Sequence, residues 1–234
     1  MSVEVPATFL DLCQRLAREC GVAGTGPSAV TSQVGLNQRL VFWVGQAWNK
    51  IQTKHRDWEF KRTSASWVTV NGQALYTPVQ CGITAGQFGM WKRDTFRNYV
   101  TTVGLTSEVF MDYLEYDIWR NNYLYGALRD TRTRPMVGTI APDKSVGLGP
   151  VPNGDYTITC DYFKAPIAMT ADGSVPDGLP TQFYLAIVYR AMMSYGRFYS
   201  AAEVYQDGKI EYDKMMEEME ADRLPEITHS GSLC

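Results

Sequence analysis

Histidine is nearly absent from this chain. Its two copies, His55 and His229, are far apart and have no neighbouring ligand types, so no imidazole-based metal centre is expected. The five cysteines (Cys13, Cys20, Cys81, Cys160 and Cys234) are odd in number and include no CxxC pair. That argues against a disulfide framework and against a zinc site. No run approaches 18 uninterrupted apolar residues, so no membrane span is predicted. The opening MSVEVPATFLDL lacks the basic and apolar regions of a secretory signal. A basic excess is missing too: the formal net charge of −3 excludes a protein that coats nucleic acid through one uniformly basic surface. The predicted setting is a soluble protein of a reducing cytoplasm, or one assembled from there.

What is present suffices for a packed core. The 234 residues are 45% hydrophobic and 20% charged, the size of one large domain or two small ones. Thr8 and Asp11 form a capping-box variant. Behind them Phe9, Leu12, Leu16 and Cys20 recur at three- and four-residue steps, and Gly21 closes the helix. Cys13 and Cys20, seven apart, share a face as small apolar residues. After a flexible loop over 21–29, a longer helix is predicted from about Val34 to His55. Leu36, Leu40, Trp43, Val44, Ala47 and Ile51 form its buried stripe. Trp58 and Phe60 then alternate with Glu59 and Lys61, the period of a half-buried strand.

The middle of the chain reads as β. Residues 66–78 carry a hairpin signal around Asn71-Gly72, and further strands are predicted at 99–103, 135–140, 145–148 and 155–163. The stretch 107–123 is compatible with a short helix bearing Phe110, Leu114 and Ile118. Residues 165–180, rich in Pro, Gly and Asp, read as a linker. Helix returns at Pro180, which suits a first helical turn. The run 183–199 is apolar nearly all round and is expected at the centre of a bundle. Ser200 and Glu203 read as a second capping box. Phe198, Ala201, Tyr205, Gly208, Tyr212, Met215 and Met219 then make a contact stripe for another helix, in the same chain or a neighbouring one. Gly208 costs about 1 kcal/mol relative to Ala in a helix, which close helix approach would offset.

The predicted class is therefore α+β, a bundle of N- and C-terminal helices with an inserted antiparallel β domain, a small sandwich or barrel. The boundaries expected are 1–62, 63–178, 179–223 and an extended tail, 224–234.

Motifs of chemistry are not apparent. Gly21, Gly24 and Gly26 resemble a phosphate loop only superficially, because no GK[ST] follows, no strand precedes, and Pro27 removes a donor. Glu108, Asp112, Glu115 and Asp117 could supply paired carboxylates, but four acids within ten residues are more often a solvated face. No Ser/His/Asp set is suggested. The expectation is that the protein is not an enzyme and needs no metal or cofactor.

Aromatics make up 12% of the chain. Trp43, Trp58 and Trp67 fit core or junction positions. Trp91, in GMWKRDTF, and Trp119, in DIWRNNYLYG, sit in polar surroundings with Lys92, Arg93 and Arg120. A subunit interface is the favoured reading for them, ahead of plain core and of stacking on a sugar or base. Tyr205, Tyr212, Met215 and Met219 are the other interface candidates. Charge is uneven: residues 50–62 carry five bases against two acids, and 203–226 nine acids against three bases. The acidic helix is either an ordinary solvated surface or one facing a partner or a nucleic-acid channel.

Several pieces, taken in order and spacing, resemble the head-to-tail connector (adaptor) proteins of tailed bacteriophages, similar to the adaptor or tail tubular protein A of short-tailed phages. They are the first helix ending at Gly21, GLNQRLVFWVGQAWNKIQ leading to DWEF, the WVTVNGQALYTP segment, PVPNGDYTITCDYFKAPIAM at 150–169, and LPTQFYLAIVYRAMMSYGRFYS with its continuation to Pro225. Residues 81–130 match least, and every matching piece is a core pattern or turn.

The resemblance implies a ring of subunits, usually twelve, docked beneath the portal protein. Such a ring extends the DNA channel and gives tail or nozzle proteins a platform. Genomic DNA would pass through the lumen without sequence-specific binding. It also implies a virion component at the capsid–tail junction, assembled in the host cytoplasm, with no catalytic residues and no membrane. In the family the C-terminal segment commonly reaches the portal, which makes Leu224, Pro225, Ile227 and Leu233 the expected portal contacts. Another phage tail or baseplate component is the alternative, and a glycan-binding module using Trp91, Trp119 and nearby acids is a more distant one.

Overall fold

The structure, a computed structural model, describes residues 8–225. The chain divides into two units: Met1–Lys61 with Pro166–Cys234, which is helical, and Arg62–Ala165, which is built from strands. The class is α+β, with N- and C-terminal helices flanking a central strand region.

In the helical unit, α1 (Phe9–Glu19) begins with both bonds of the predicted capping box. The Asp11 N–H donates to Thr8 Oγ1 at 3.2 Å, and the Thr8 N–H donates to Asp11 Oδ2 at 3.1 Å. Its buried face is Phe9, Leu12, Cys13, Leu16 and Ala17. Helix α2 (Gly35–Lys54) buries Leu40, Trp43, Val44, Ala47, Trp48 and Ile51. Two C-terminal helices follow, separated from α1 and α2 by the strand-built unit. The first of them packs against α1, α2 and the second, and is the centre of this unit. It spans Tyr184–Tyr199.

Trp58 and Phe60 do not enter a strand. Trp58 precedes and Phe60 lies within a single 3-10 turn, Glu59–Lys61, closed by Lys61 N–H to Trp58 O at 3.0 Å. Trp58 is fully buried, donates its indole N–H to Ile51 O at 2.9 Å and stacks on Phe60 at 5.4 Å. Burial of Trp58 in the helical core, with Phe60 packed against it, outweighs the alternating pattern.

The segment read as a linker is a strap on the helical unit. Ser174 O and Asp172 O accept the Phe9 and Leu10 N–H groups at 2.7 and 3.2 Å, satisfying free donors of the first turn of α1. Asp172 Oδ1 accepts the Val30 N–H at 2.6 Å. Ile167 exchanges two bonds with the buried Gln52 side chain and accepts the Trp48 indole N–H at 2.8 Å. Met169 and Leu179 are buried in the helical core. Residues 166–178 therefore belong with the helices, where the sequence places them with the β domain.

The strand-built unit holds two sheets. In the first, β9 (Tyr156–Lys164) is central. Along one edge it pairs antiparallel with β1 (Arg62–Val68). Along the other it pairs with β4 (Arg97–Val100) and β3 (Phe88–Trp91), and β5 (Val109–Phe110) extends β4. The second sheet runs β2 (Leu75–Tyr76), β8 (Val146–Gly149), β7 (Val137–Ile140), β6 (Asp112–Tyr113), its last pair being parallel. Both sheets contribute to one core that includes Trp67, Tyr76, Trp91, Leu148 and Ile158.

The Asn71-Gly72 turn forms, with Gly72 at φ +82° and Gln73 N–H bonded to Val70 O at 3.0 Å. It does not close a hairpin. β1 pairs with β9 and β2 with β8, so the turn carries the chain from one sheet to the other. The Tyr76 hydroxyl holds it by accepting the Val70 N–H at 2.8 Å.

Residues 107–123 are also not one helix. They give β5, β6 and a short helix α3 (Tyr116–Trp119) that runs on into a π-helical turn, Arg120–Leu124. Phe110 and Ile118 are exposed, and Trp119 is the residue buried. With α3 in place, the two C-terminal helices are α4 (Tyr184–Tyr199) and α5 (Ala202–Arg223).

Candidate functional site

The contact stripe on α5 points inward, against α4 of the same chain. A Cβ on Gly208 would meet Met192 Cβ at 2.8 Å, and one on Gly196 would meet Tyr205 Cβ at 2.8 Å. The two helices thus cross at glycine on both sides, which accounts for a glycine in the middle of a 22-residue helix. Met219 is fully buried, and Tyr212 and Met215 are partly buried against the same core. Tyr205 lies half-buried beside an open cleft at the α4–α5 corner, lined also by Gly196, Arg197, Ser200 and Gln206. Ser200 is not an N-cap. It is the left-handed C-cap of α4 (φ +56°), because the chain reverses within two residues, and Ala201 caps α5 without a side-chain bond.

The two tryptophans singled out for an interface are in the core of the strand-built unit. Trp91 is 3% exposed, donates its indole N–H to Lys144 O at 2.8 Å and packs among Trp67, Phe88, Phe96 and Tyr162. Trp119 is fully buried beside Tyr116 and Tyr123, over Gly147, where a Cβ would come within 2.8 Å of the indole. Neither offers a ring face to a neighbouring subunit or to a sugar. Polar flanking sequence misled here because Lys92, Arg93 and Arg120 extend away from rings that turn inward. Leu224 packs partly against the helical core and Pro225 is exposed, while Ile227 and Leu233 lie outside the described residues.

Three of the residues considered for chemistry have structural partners. Gly26, at φ +81°, lies where a Cβ would meet Ala17 Cβ at 2.9 Å, so this glycine lets the loop close on α1. Glu108 pairs with Arg97 at 3.1 Å and Glu115 with Arg93 at 3.8 Å. Burial pushes the thiols of Cys13, Cys20 and Cys81 up to about 12, and raises that of Cys160 as well. Among the described residues no group of three or more His, Cys, Asp or Glu side chains is placed to hold a metal ion, and no helix is long and apolar enough to cross a membrane.

The exposed feature of the helical unit is an aromatic and cationic face on α2 and α4. Trp43 meets Tyr195, Phe198 and Tyr199 with ring centroids 5.9, 5.7 and 6.3 Å apart. The Arg39 guanidinium lies 4.3 Å from the centre of the Phe198 ring and donates to the Tyr199 hydroxyl at 3.3 Å. Phe42 and Phe198 remain 58% and 54% exposed, far more than a core role would leave. This face was not read from the sequence. Its signal is spacing: Arg190 and Arg197 are two helical turns apart on α4, and Arg39 and Lys50 three turns apart on α2.

Comparison with known families identifies the class as a phage structural adaptor. The chain belongs to the SU10 adaptor protein family, whose model matches residues 7–231 and so spans both units. No curated protein matches it.

Proposed function

We propose that this protein is a head-to-tail adaptor that forms a ring, of twelve copies by analogy with the family it resembles, beneath the portal protein of a tailed phage. The ring extends the channel through which genomic DNA passes and gives tail or nozzle proteins their platform. In this reading the protein is a virion component assembled in the host cytoplasm, and it works by contact rather than catalysis. The observation that carries the reading is the adaptor-family match across nearly the whole chain. A ring also suits a subunit with two different complementary surfaces, since head-to-tail contacts close by rotation.

The chain beyond Leu224 is the proposed portal contact, through Pro225, Ile227 and Leu233. A short terminal segment can add affinity by strand addition or by filling a groove. Leu224 itself packs on the helical core, so the docking segment begins after it.

The test is co-sedimentation of the purified chain with portal rings of the same phage, followed by electron microscopy of the pellet. Extra density stacked coaxially under the portal is expected, and its symmetry gives the copy number. A chain ending at residue 225 should stay folded and bind more weakly. If the folded full-length chain fails to bind at low and moderate salt, the adaptor position is refuted and a more distal tail component becomes the reading. Equal binding by both chains refutes the tail assignment alone.

A further inference from the structure

Four cations share the α2–α4 face, and among the described residues none of them is in an ion pair: Arg39, Lys50, Arg190 and Arg197. Three are held in place by aromatic rings instead. Arg39 lies over Phe198, Arg190 is 5.7 Å from the Tyr212 ring centre and Arg197 is 5.9 Å from that of Tyr205. Among the described residues Lys50 has no ring partner, and its ammonium is pushed below the usual lysine range by Arg190 first, then by burial and by Arg197. Like charges gathered on one face without an ion-pair partner repel one another, and an acidic partner relieves that cost.

The matching surface is the outer face of α5. Glu203, Asp207, Ile210, Lys214 and Glu217 follow one another at steps of four, three, four and three, opposite the face that packs on α4. All five are exposed, three of them acids against the single base Lys214, and Ile210 is 62% exposed between Asp207 and Lys214. Among the described residues Glu203, Asp207 and Glu217 form no ion pair, whereas Asp213, Glu220 and Asp222 on the flanks of α5 do. One subunit therefore carries two surfaces of opposite charge, each with exposed apolar side chains: Phe42 and Phe198 on the cationic face, Ile210 on the acidic one.

We propose that the cationic face of α2 and α4 in one copy receives the acidic face of α5 from a second copy, with Ile210 set against Phe42 and Phe198. Such a contact is heterologous, because each subunit uses a different patch on each side, and repetition closes a ring or runs on as a filament. The inference rests on the ring reading above and names the surfaces that would make it. Two exposed aromatic rings beside the cations favour a protein occupant over a phosphate backbone, which uses charge alone for non-specific binding.

Charge-swap complementation in phage particles tests this. Lys50→Glu with Arg197→Glu, and separately Asp207→Lys with Glu217→Lys, should each cut the adaptor-to-portal ratio in purified particles by about tenfold, through like-charge contacts. The four substitutions together should restore it to within about twofold. All four sites are exposed, and an unchanged thermal unfolding curve for each purified variant verifies that the fold is intact. The contact is overturned if either reversal leaves the ratio unchanged. It is equally overturned if the combined chain stays as low as the reversals, which reassigns the cations to another occupant, nucleic acid included. If the wild-type chain itself is absent from particles, the ring reading fails; if it is present and only the swap fails, that reading stands without this interface.

Discussion

Replacing Gly208 by alanine isolates the helix crossing that fixes α5 on α4. Two effects oppose each other. Alanine is about 1 kcal/mol better than glycine inside a helix. The added Cβ, however, would sit 2.8 Å from Met192 Cβ and 3.0 Å from Tyr189 O, both on or next to backbone and unable to swing aside. Overpacking of this kind costs about 1–3 kcal/mol. Taking about 2 kcal/mol for the crossing, Gly208→Ala should destabilise the helical unit by about 1 kcal/mol net. Gly45 is the control, because in the middle of α2 its added Cβ would meet only Phe9 Cζ, at an ordinary 3.9 Å. Gly45→Ala should therefore stabilise by about 0.5–1 kcal/mol. For a chain of this size each kcal/mol moves Tm by about 2–4 °C, so the two variants should straddle the parent by several degrees. Thermal unfolding followed by helical circular dichroism reads this directly. If Gly208→Ala raises Tm as Gly45→Ala does, α4 and α5 do not approach each other as argued, and the inward assignment of the α5 stripe falls with it.

Two other outcomes follow from titratable groups. Burial acts to raise the Glu220 carboxyl, but hydrogen bonds from Lys54 and His55 outweigh it and hold it below the usual glutamate range. A lowered folded-state pKa means its stabilisation is complete above the ordinary value and drains as pH falls through the lowered one. The Tm difference between the parent and Glu220→Gln should therefore be present at neutral pH and vanish in acid; a pH-independent difference would contradict the pairing. At pH 8 a thiol with a pKa of about 12 is about 10⁻⁴ ionised. A Cys234→Ser chain should then show no fast reaction with a disulfide reagent when folded and four thiols when unfolded; rapid native labelling would contradict the burial of Cys13, Cys20, Cys81 and Cys160.

Many local signals in the sequence survive because they depend on neighbours three or four residues away, although the Ser200–Glu203 box does not cap a helix. Thr8 and Asp11 cap α1, the apolar steps of α1 and α2 bury nearly all the residues they indicate, α4 is central although its Phe198 and Tyr199 are exposed, and the strands at 135–140, 145–148 and 155–163 are present within a residue or two. Two of the failures involve a partner far along the chain. Asn71-Gly72 forms its turn, yet which strand β1 pairs with is decided by β9, about ninety residues later. The apparent linker at 165–180 is polar because its backbone and side chains bond α1, Val30 and Gln52, not because it is free.

Composition and periodicity by themselves determined the class, the helix limits and the order of the two kinds of structure, and the order and spacing of core segments carried the family resemblance. Only tertiary structure decided which side chains are available to a partner. Trp91 and Trp119 look like interface residues in a polar sequence, yet Trp91 is enclosed by Trp67, Phe88, Phe96 and Tyr162, and Trp119 is buried over Gly147 of β8. Arg39, Lys50, Arg190 and Arg197 look like scattered surface charges and converge when α2 and α4 pack. The physical reason is the same in both cases. Burial and electrostatic neighbourhood are set by distance in space, and helix packing and sheet pairing join residues that local propensity cannot relate.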